Sequence, residues 1–425
     1  MLLISICLFF ATAAPKVSMI PQSSALEPAT AHASFEVAEG LKIELVAAEP
    51  LVISPVAMAF DERGRLFVVE MPGFPLGSPP GEKPIDRIAL LEDTDGDGRM
   101  DRRTVYADGL AEPMGVLPWK DGIIVTVAPD VLYLRDTDGD GRADERRTLF
   151  TGFSIKQTPA LRMNCPLLGP DGWVYIASGQ SGGTITTPEH PERPALEMTS
   201  DVRFHPETLA IENVDGRSQY GISFDAAGRR FLCNNRMPVK HVVASAKWWQ
   251  RNPRLKFSET VQECNERILR NTFRASGSCG GVPIFPLTSH YVNVDAHVGS
   301  VTAACSVLVW RGNGLPDQYK GSAFTCEPTA NLVRVDRLVP DGATFAAVPS
   351  YLAETKDGRT LSGILTSETA NSITLQGPLA HEEKVSRQEI VRLQALPGSL
   401  MPSGLDAAMT TQELADLLAY LRGEQ

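Results

Sequence analysis

What the chain lacks narrows its function before anything it contains. Its 425 residues carry 40 Lys and Arg against 51 Asp and Glu, a net charge of −11, with no Lys/Arg-rich block. Such a surface repels a phosphate backbone, so nucleic acid is excluded as a partner. None of the cysteines stands in a CxxC or CxxCH arrangement, so neither a zinc knuckle nor covalent haem attachment is encoded. The apolar run that opens the chain, Leu2 to Ala11, is too short for a transmembrane span, which needs about 20 residues. With the small-residue site Ala11-Thr12-Ala13 behind it, this run has the pattern of a secretory signal cleaved after Ala13, although the usual positive n-region is missing. Residues 1–13 are therefore read as a signal peptide, and a periplasmic or cell-envelope location is expected. Cys7 leaves with the signal. Cys165, Cys233, Cys264, Cys279, Cys305 and Cys326 remain, too many for the sequence to choose a pairing.

Helical periodicity is also missing. After an Ala/Pro/Ser-rich stretch read as a flexible lead over 14–35, strand-like runs alternate with Gly/Asp turns for roughly 200 residues. One punctuation recurs: FDERGRLFVVE at Phe60, WKDGIIVTV at Trp119, GPDGWVYIAS at Gly169 and FDAAGRRFLC at Phe224, with turn glycines Gly64, Gly122, Gly172 and Gly228. Extending that step reaches GSAFTCEPTANLVRVDRL at Gly321. All-strand repeats of about 40–50 residues predict propeller blades, roughly six of them, over 36–341. The stretch 241–290 fits the repeat badly, mixing paired Trp, charges and a short helical pattern. It reads as an insertion over one face, either a packed elaboration or a lid. Beyond 341 the pattern changes to a small β-meander around Asp357-Gly358 and Asn371-Ser372. The chain then ends in a helix with a Thr410/Glu413 capping box and Leu414, Leu417, Leu418 and Leu421 on one face. A second, small domain is expected over 342–425.

Within the first repeats the chain writes DTDGDGRMD from Asp93 to Asp101 and DTDGDGRAD from Asp136 to Asp144. Asp93, Asp95 and Asp97 alternate, Gly98 permits a sharp turn, Arg99 offers its carbonyl, and Asp101 closes the far side. Asp136, Asp138, Asp140, the Arg142 carbonyl and Asp144 repeat that order. Hard oxygen ligands so spaced suit calcium, and uncompensated carboxylates so close would repel. The bidentate Glu of a helical EF-hand is missing, because Thr104 and Arg147 hold its position, and both flanks are strand-like. The pattern is similar to the DxDxDGxxD hairpin loops of calcium-binding propeller blades such as those of integrin α-chains.

A wider resemblance follows from DTDGDGRMDRRTVYADGL, LYLRDTDGDGRADERRTLFTGF, GPDGWVYIASG, YKGSAFTCEPTANLVRVDRL and the ending DGRTLSGILTSE, SLMPSGL and LADLLAYL. Together these resemble the PVC-type haem-binding CxxCH proteins, a family named for membrane-bound dehydrogenases. The resemblance implies a propeller similar to quinoprotein sugar dehydrogenases, joined to a C-terminal cytochrome-c-like domain. The family's CxxCH segment is absent here, so 342–425 reads as a haemless remnant. Met401 in SLMP matches the family's axial haem ligand but has no attaching cysteines or proximal His beside it, and haem is not expected. In the quinoprotein enzymes a base His precedes the strand matching GPDGWVY; here KQTPALRMNCPLL holds none. Their Gly-x-Arg-Asn segment resembles Asp215-Gly216-Arg217-Ser218, where only the Arg survives. Arg217, Asn235, Arg236 and His241 are the candidates for substrate or anion contacts at the channel mouth. His205 is read as a turn residue.

Two functions are consistent with these observations. The first is an exported calcium-binding propeller acting as a binding or scaffold module, its partner a carbohydrate or a redox or cell-envelope protein. Its rival is a periplasmic dehydrogenase that oxidises a sugar or alcohol with non-covalent pyrroloquinoline quinone. An internally deleted copy of such a gene is a third reading. Cys305 and Cys326, in AACSVLVW and FTCEPT on either side of one turn, are expected to face each other and to bond in an oxidising compartment.

Overall fold

The computed structural model describes residues 27–33, 35, 41–78, 81–251, 254, 259–265, 301, 303–328, 332–348, 350–369, 371–376 and 382–396. The signal peptide, Cys279, Met401, the terminal helix and the second half of the expected insertion lie outside them. Two short α-helices are described. The helix α1 (Pro28–Ala33) is one turn within the expected flexible lead, and α2 (Ala246–Trp249) answers the helical pattern at the start of the expected insertion. No helix among the described residues is long and apolar enough to cross a membrane.

Apart from two single-turn 3-10 helices, Pro159–Leu161 and Asp317–Tyr319, the other regular elements described are antiparallel strands. The first sheet is β1 (Pro55–Phe60), β2 (Leu66–Glu70), β3 (Asp86–Glu92) and β4 (Arg102–Leu110), paired in that order. The second is β5 (Gly115–Trp119), β6 (Gly122–Val127), β7 (Asp130–Arg135) and β8 (Glu145–Phe153). The third joins β9 (Asn164–Leu168) and β10 (Val174–Ala177) to β13 (Asp201–Phe204) and β14 (Ile211–Val214). Between β10 and β13 the chain makes a hairpin, β11 (Gly183–Thr186) and β12 (Leu196–Met198), which pairs with β8 and covers the free edge of the second sheet. The fourth sheet is β15 (Ile222–Phe224), β16 (Arg230–Asn234), β17 (Met237–Val242) and β18 (Val261–Glu263). The fifth is β19 (Cys305–Val309), β20 (Ala323–Glu327), β21 (Leu332–Asp341) and β22 (Thr344–Val348). The recurring punctuation of the sequence is the first hairpin of each of the first four sheets, where Gly64, Gly172 and Gly228 adopt φ of 79°, 78° and 77°. Gly122 serves differently, since a Cβ there would lie 2.4 Å from the Leu134 carbonyl oxygen.

Period-two alternation makes these sheets stack face to face. In β6, Ile123, Val125 and Val127 pack with Phe67, Ile88 and Tyr106 of the first sheet, while Ile124 packs with Val174 and Phe204 of the third. In β10, Val174 and Ile176 face the second sheet, and Tyr175 and Ala177 face Ile222 and Leu232 of the fourth. In β16, Phe231 and Cys233 join Val307, Ala323, Phe345 and Ala347 of the fifth. Strands buried on both faces read as continuous apolar runs, which is why GIIVTV shows no polar alternation. Each large side chain so buried contributes about 1.5–3 kcal/mol.

The stack curves. First strands touch in succession, β1 with β5, β5 with β9, β9 with β15 and β15 with β19. The phenol of Tyr220, just before β15, donates to Val56 O in β1 at 2.9 Å and reaches Met114 O, just before β5, at 3.4 Å. The fourth sheet therefore meets the first across an axis that the innermost strands share. This is a mainly β, propeller-like fold.

Two expected boundaries shift. Val242 to Glu263 supplies α2 and the edge strand β18, so the start of the stretch read as an insertion completes the fourth sheet. Likewise β22 pairs with β21, and Phe345 and Ala347 enter the core between the fourth and fifth sheets, so the propeller runs past 341 to Val348. The small sheet that follows has strands β23 (Ser350–Thr355), β24 (Thr360–Glu368), β25 (Ser372–Gln376), β26 (Glu382–Ser386) and β27 (Ile390–Leu396) in the order β26-β25-β24-β23-β27. Its core is Ala353, Ile373, Leu375 and Val385.

Candidate functional site

Antiparallel connectivity gives the ring two chemically different faces. Turns from first to second and from third to fourth strands leave one face, and turns from second to third strands and between sheets leave the other. Both acidic loops link third to fourth strands and so share the first face.

The two loops are near copies. In the first, Asp93 accepts from Gly96 N at 2.7 Å and Gly98 N at 2.9 Å, Asp95 from Asp97 N at 3.2 Å, and Asp97 from Arg99 N at 2.7 Å. In the second, Asp136 accepts from Gly139 N at 2.7 Å and Gly141 N at 2.8 Å, Asp138 from Asp140 N at 3.2 Å, and Asp140 from Arg142 N at 2.8 Å. Thr94 closes the first loop onto Asp101, and Thr137 closes the second onto Asp144. Gly96, Gly98, Gly139 and Gly141 take φ of 78°, 89°, 82° and 84°, which only glycine adopts without strain. The Gly98 and Gly96 amides hold the Asp93 carboxyl below its ordinary range, and the Thr137 hydroxyl does the same for Asp144. Asp93, Asp95 and Asp101 place one oxygen each within 4.8 Å of the others, as do Asp136, Asp138 and Asp140. Calcium with oxygen ligands at about 2.3–2.6 Å spans roughly that separation, so the donor sets fit the ion. Of the expected carboxylates, Asp97 and Asp144 stand outside these two triads.

On the opposite face, three of the four candidate contacts share a rim. The Arg217 guanidinium donates to Gln180 O at 2.9 Å and Ser181 O at 3.5 Å. The Gln180 side-chain amide donates to Gln219 Oε1 at 3.2 Å, and Asn235 N donates to the same oxygen at 3.2 Å. Arg236 follows in the β16–β17 turn. His241 does not join them. It lies 2% exposed near the far end of β17, stacked on Phe231 at 5.0 Å and edge-on to Phe345, with Nδ1 3.1 Å from Thr344 Oγ1. Its alternation position on β17 points it into the core between the fourth and fifth sheets. His205 is a turn residue, its Nδ1 accepting from Glu207 N at 3.3 Å.

The groups that organise the rim carry no motif. Asn164 Nδ2 donates to Gln219 O at 2.7 Å and Arg162 O at 2.9 Å, while its Oδ1 is buried without a protein donor. Asp201, fully buried, accepts from Ser178 N at 2.9 Å, Ser218 N at 2.8 Å and Ser218 Oγ at 2.7 Å. Burial pushes its carboxyl up, against the pull of Arg230 and these donors. Asp86 does the same for the first sheet, accepting from Gly73 N at 2.9 Å and Glu112 N at 3.0 Å. Both begin the third strand of their sheets, and both tie a turn within the sheet to the link leading to the next. A carboxylate recurring at the first residue of a third strand is the signal that marks them.

A family model described as a domain of unknown function, DUF7133, matches residues 27–360. The chain belongs to that family. No curated protein matches it. Among solved structures, the DUF7133 chain is similar to a family AA12 carbohydrate-active enzyme of Trichoderma reesei. Identity there is 11%, over 83% of this chain and 97% of that one, with a TM-score of 0.40. It is also similar to the PQQ domain of pyranose dehydrogenase from Coprinopsis cinerea, with 12% identity over 82% and 95% and a TM-score of 0.39. A third likeness is to virginiamycin B lyase of Staphylococcus aureus, with 10% identity over 81% and 87% and a TM-score of 0.34.

Proposed function

We propose that this DUF7133 protein is an exported, calcium-binding propeller of about six blades that works as a binding or scaffold module. In this reading the small C-terminal sheet is the haemless remnant of the electron-transfer domain of the PVC-type proteins. The observation that carries the proposal is the duplication of the acidic loops down to individual hydrogen bonds. Two loops with the same glycine conformations and the same carboxylate-to-amide bonds hold oxygen ligands at calcium spacing in successive sheets. Bound calcium would pin the hairpins rather than take part in chemistry. Asp93, Asp95 and Asp101 would hold one ion, and Asp136, Asp138 and Asp140 the other.

The partner is expected at the opposite face. Arg217, the Gln180 and Gln219 amides and the Asn235 side chain offer donors and acceptors suited to a carbohydrate or to a polar patch of a redox or cell-envelope protein. Asn164 Oδ1 adds an acceptor that a water or a ligand hydroxyl would satisfy. One observation favours the rival dehydrogenase: Arg217, the residue that matches the quinoprotein segment, does reach this rim. Against it, the histidine of the candidate set is enclosed by Phe231 and Phe345.

Thermal unfolding tests the calcium reading. With affinities typical of extracellular modules, ~1 mM calcium raises the midpoint by roughly 1–4 °C over chelated protein. Identical midpoints in calcium and in chelator would overturn it.

A further inference from the structure

The outer strands of the fourth and fifth sheets are joined through a small set of polar contacts. Ala347 N of β22 donates to Cys264 O, just past β18, at 2.8 Å. Asn265 Oδ1 accepts from Val239 N of β17 at 3.0 Å, and its Nδ2 donates at 3.3 Å to Ala347 O and at 3.3 Å to Asp336 Oδ2 of β21. His241 of β17 completes the set, with Nδ1 3.1 Å from Thr344 Oγ1 of β22. Within its own sheet β22 is an edge strand, paired with β21 alone. The chain leaves it at Val348 and begins the small sheet at Ser350.

The imidazole is held in one protonation state. Phe231 stacks on it at 5.0 Å, Phe345 meets it edge-on at 5.2 Å, and its Nε2 is buried with no acceptor. A neutral ring needs only the Thr344 hydroxyl. A protonated ring carries two N–H donors, and the second would be buried unpaired. Neighbouring charges do not compensate. Burial first, and then Arg229, whose charge outweighs that of Asp225, hold the pKa below its ordinary 6.5. Those two residues, in the β15–β16 turn, pair at 2.6 Å, with the guanidinium over the Phe345 ring. On the β18 side, burial pushes the Cys264 thiol up to about 12, so it stays neutral. In β21, Asp336 is matched by Arg334 at 2.7 Å. Lys240 of β17 and its register partner Glu263 of β18 alternate to the opposite face.

We infer that His241 is a proton-operated latch that fastens β22, and with it the start of the small sheet, to the fourth sheet of the propeller. The neutral ring closes the contact. Proton uptake is favourable only where water can reach Nε2, and that requires Phe345 and Thr344 to move away with β22. The rest of the interface is indifferent to acid, because Val307, Val309 and Ala323 pack with Phe231 and Val239 through apolar groups. Opening is therefore confined to the outer strands. Its consequence is a looser join between the propeller and the small sheet at acid pH.

The test is amide hydrogen exchange of the full chain between about pH 7.5 and about pH 5, corrected for the intrinsic pH dependence of exchange and read strand by strand. One proton taken up on opening multiplies the opening constant by up to about tenfold for each pH unit below ~6.5. Protection at β22 is expected to fall by about tenfold or more over that range, while protection at β6 and β10 stays level. His241→Phe fills the same aromatic enclosure and cannot titrate, so it is expected to keep β22 level as well. The contrast between β22 and β6 in the parent chain decides the inference even without the variant. Level protection at β22 in the parent, an equal fall in every sheet, or the same fall in a folded His241→Phe chain overturns the latch.

Discussion

Replacing Asp201 with Ala should damage the rim more than any change to the residues that line it. Its fully buried carboxylate gathers two backbone amides and a hydroxyl from Ser178 and Ser218, and it faces Arg230, which is 7% exposed. Truncation leaves three donors without an acceptor in a place water does not reach, each costing about 1–3 kcal/mol before relaxation. It also removes the largest favourable charge interaction of the buried Arg230 guanidinium. These losses overlap because the same cavity relaxes for all of them, so the net expectation is a destabilisation of about 3–5 kcal/mol. Asp201→Asn keeps an acceptor for the amides and loses only the charge, so it should cost less than half as much. Urea denaturation of the full chain gives the free energies, and hydrogen exchange at Ser178 and Ser218 reads the local consequence. A loss below about 1 kcal/mol for Asp201→Ala, with both amides still protected, would refute the role assigned to this carboxylate.

Other perturbations probe the rest. Burial and the nearby Arg229 hold the His241 imidazole below its ordinary pKa of 6.5, and its Nε2 is enclosed without an acceptor. The unfolded chain therefore takes up the proton first as pH falls. Stability should be full above pH ~6.5, drop below it, and drop less steeply in His241→Gln, as urea midpoints across that range would show. Cys305 and Cys326 are direct partners in the β19–β20 register, and both thiols are free in the structure. Mapping of unreduced peptides from protein exported to an oxidising compartment should find them joined, and recovery of both as free thiols would remove that expectation. Purified protein expressed with cytochrome-maturation machinery should show no Soret band, because no CxxCH attaches haem. Sugar-dependent dye reduction after adding pyrroloquinoline quinone and calcium, if lost on Arg217→Ala, would establish the rival dehydrogenase reading.

What the sequence discloses here is what repeats. The Gly64, Gly172 and Gly228 turns announce themselves because a short apolar strand follows each, and the acidic loops because charge that dense has few structural uses. Single polar residues do not announce themselves. Asn164, Gln180 and Gln219 owe their roles to distant partners, as in the pairing of Asn164 with Gln219, and nothing adjacent in the chain marks them. His241 misleads for the reverse reason. It follows Asn235 and Arg236 closely in sequence, but β17 runs away from the rim and alternation turns its ring inward between two phenylalanines. The β21–β22 turn after Asp341 has the composition of a domain boundary, yet the two strands it joins are paired. Hydrogen bonding across that turn, rather than composition, assigns β22 to the fifth sheet.

Calcium stoichiometry tests the central claim most directly. Titration calorimetry on dialysed full-length protein should find two weak sites per chain, one remaining in Asp95→Asn or Asp138→Asn and none in the double variant, with the folded state retained throughout. Two sites that survive both substitutions, or none in the parent chain, would contradict the account.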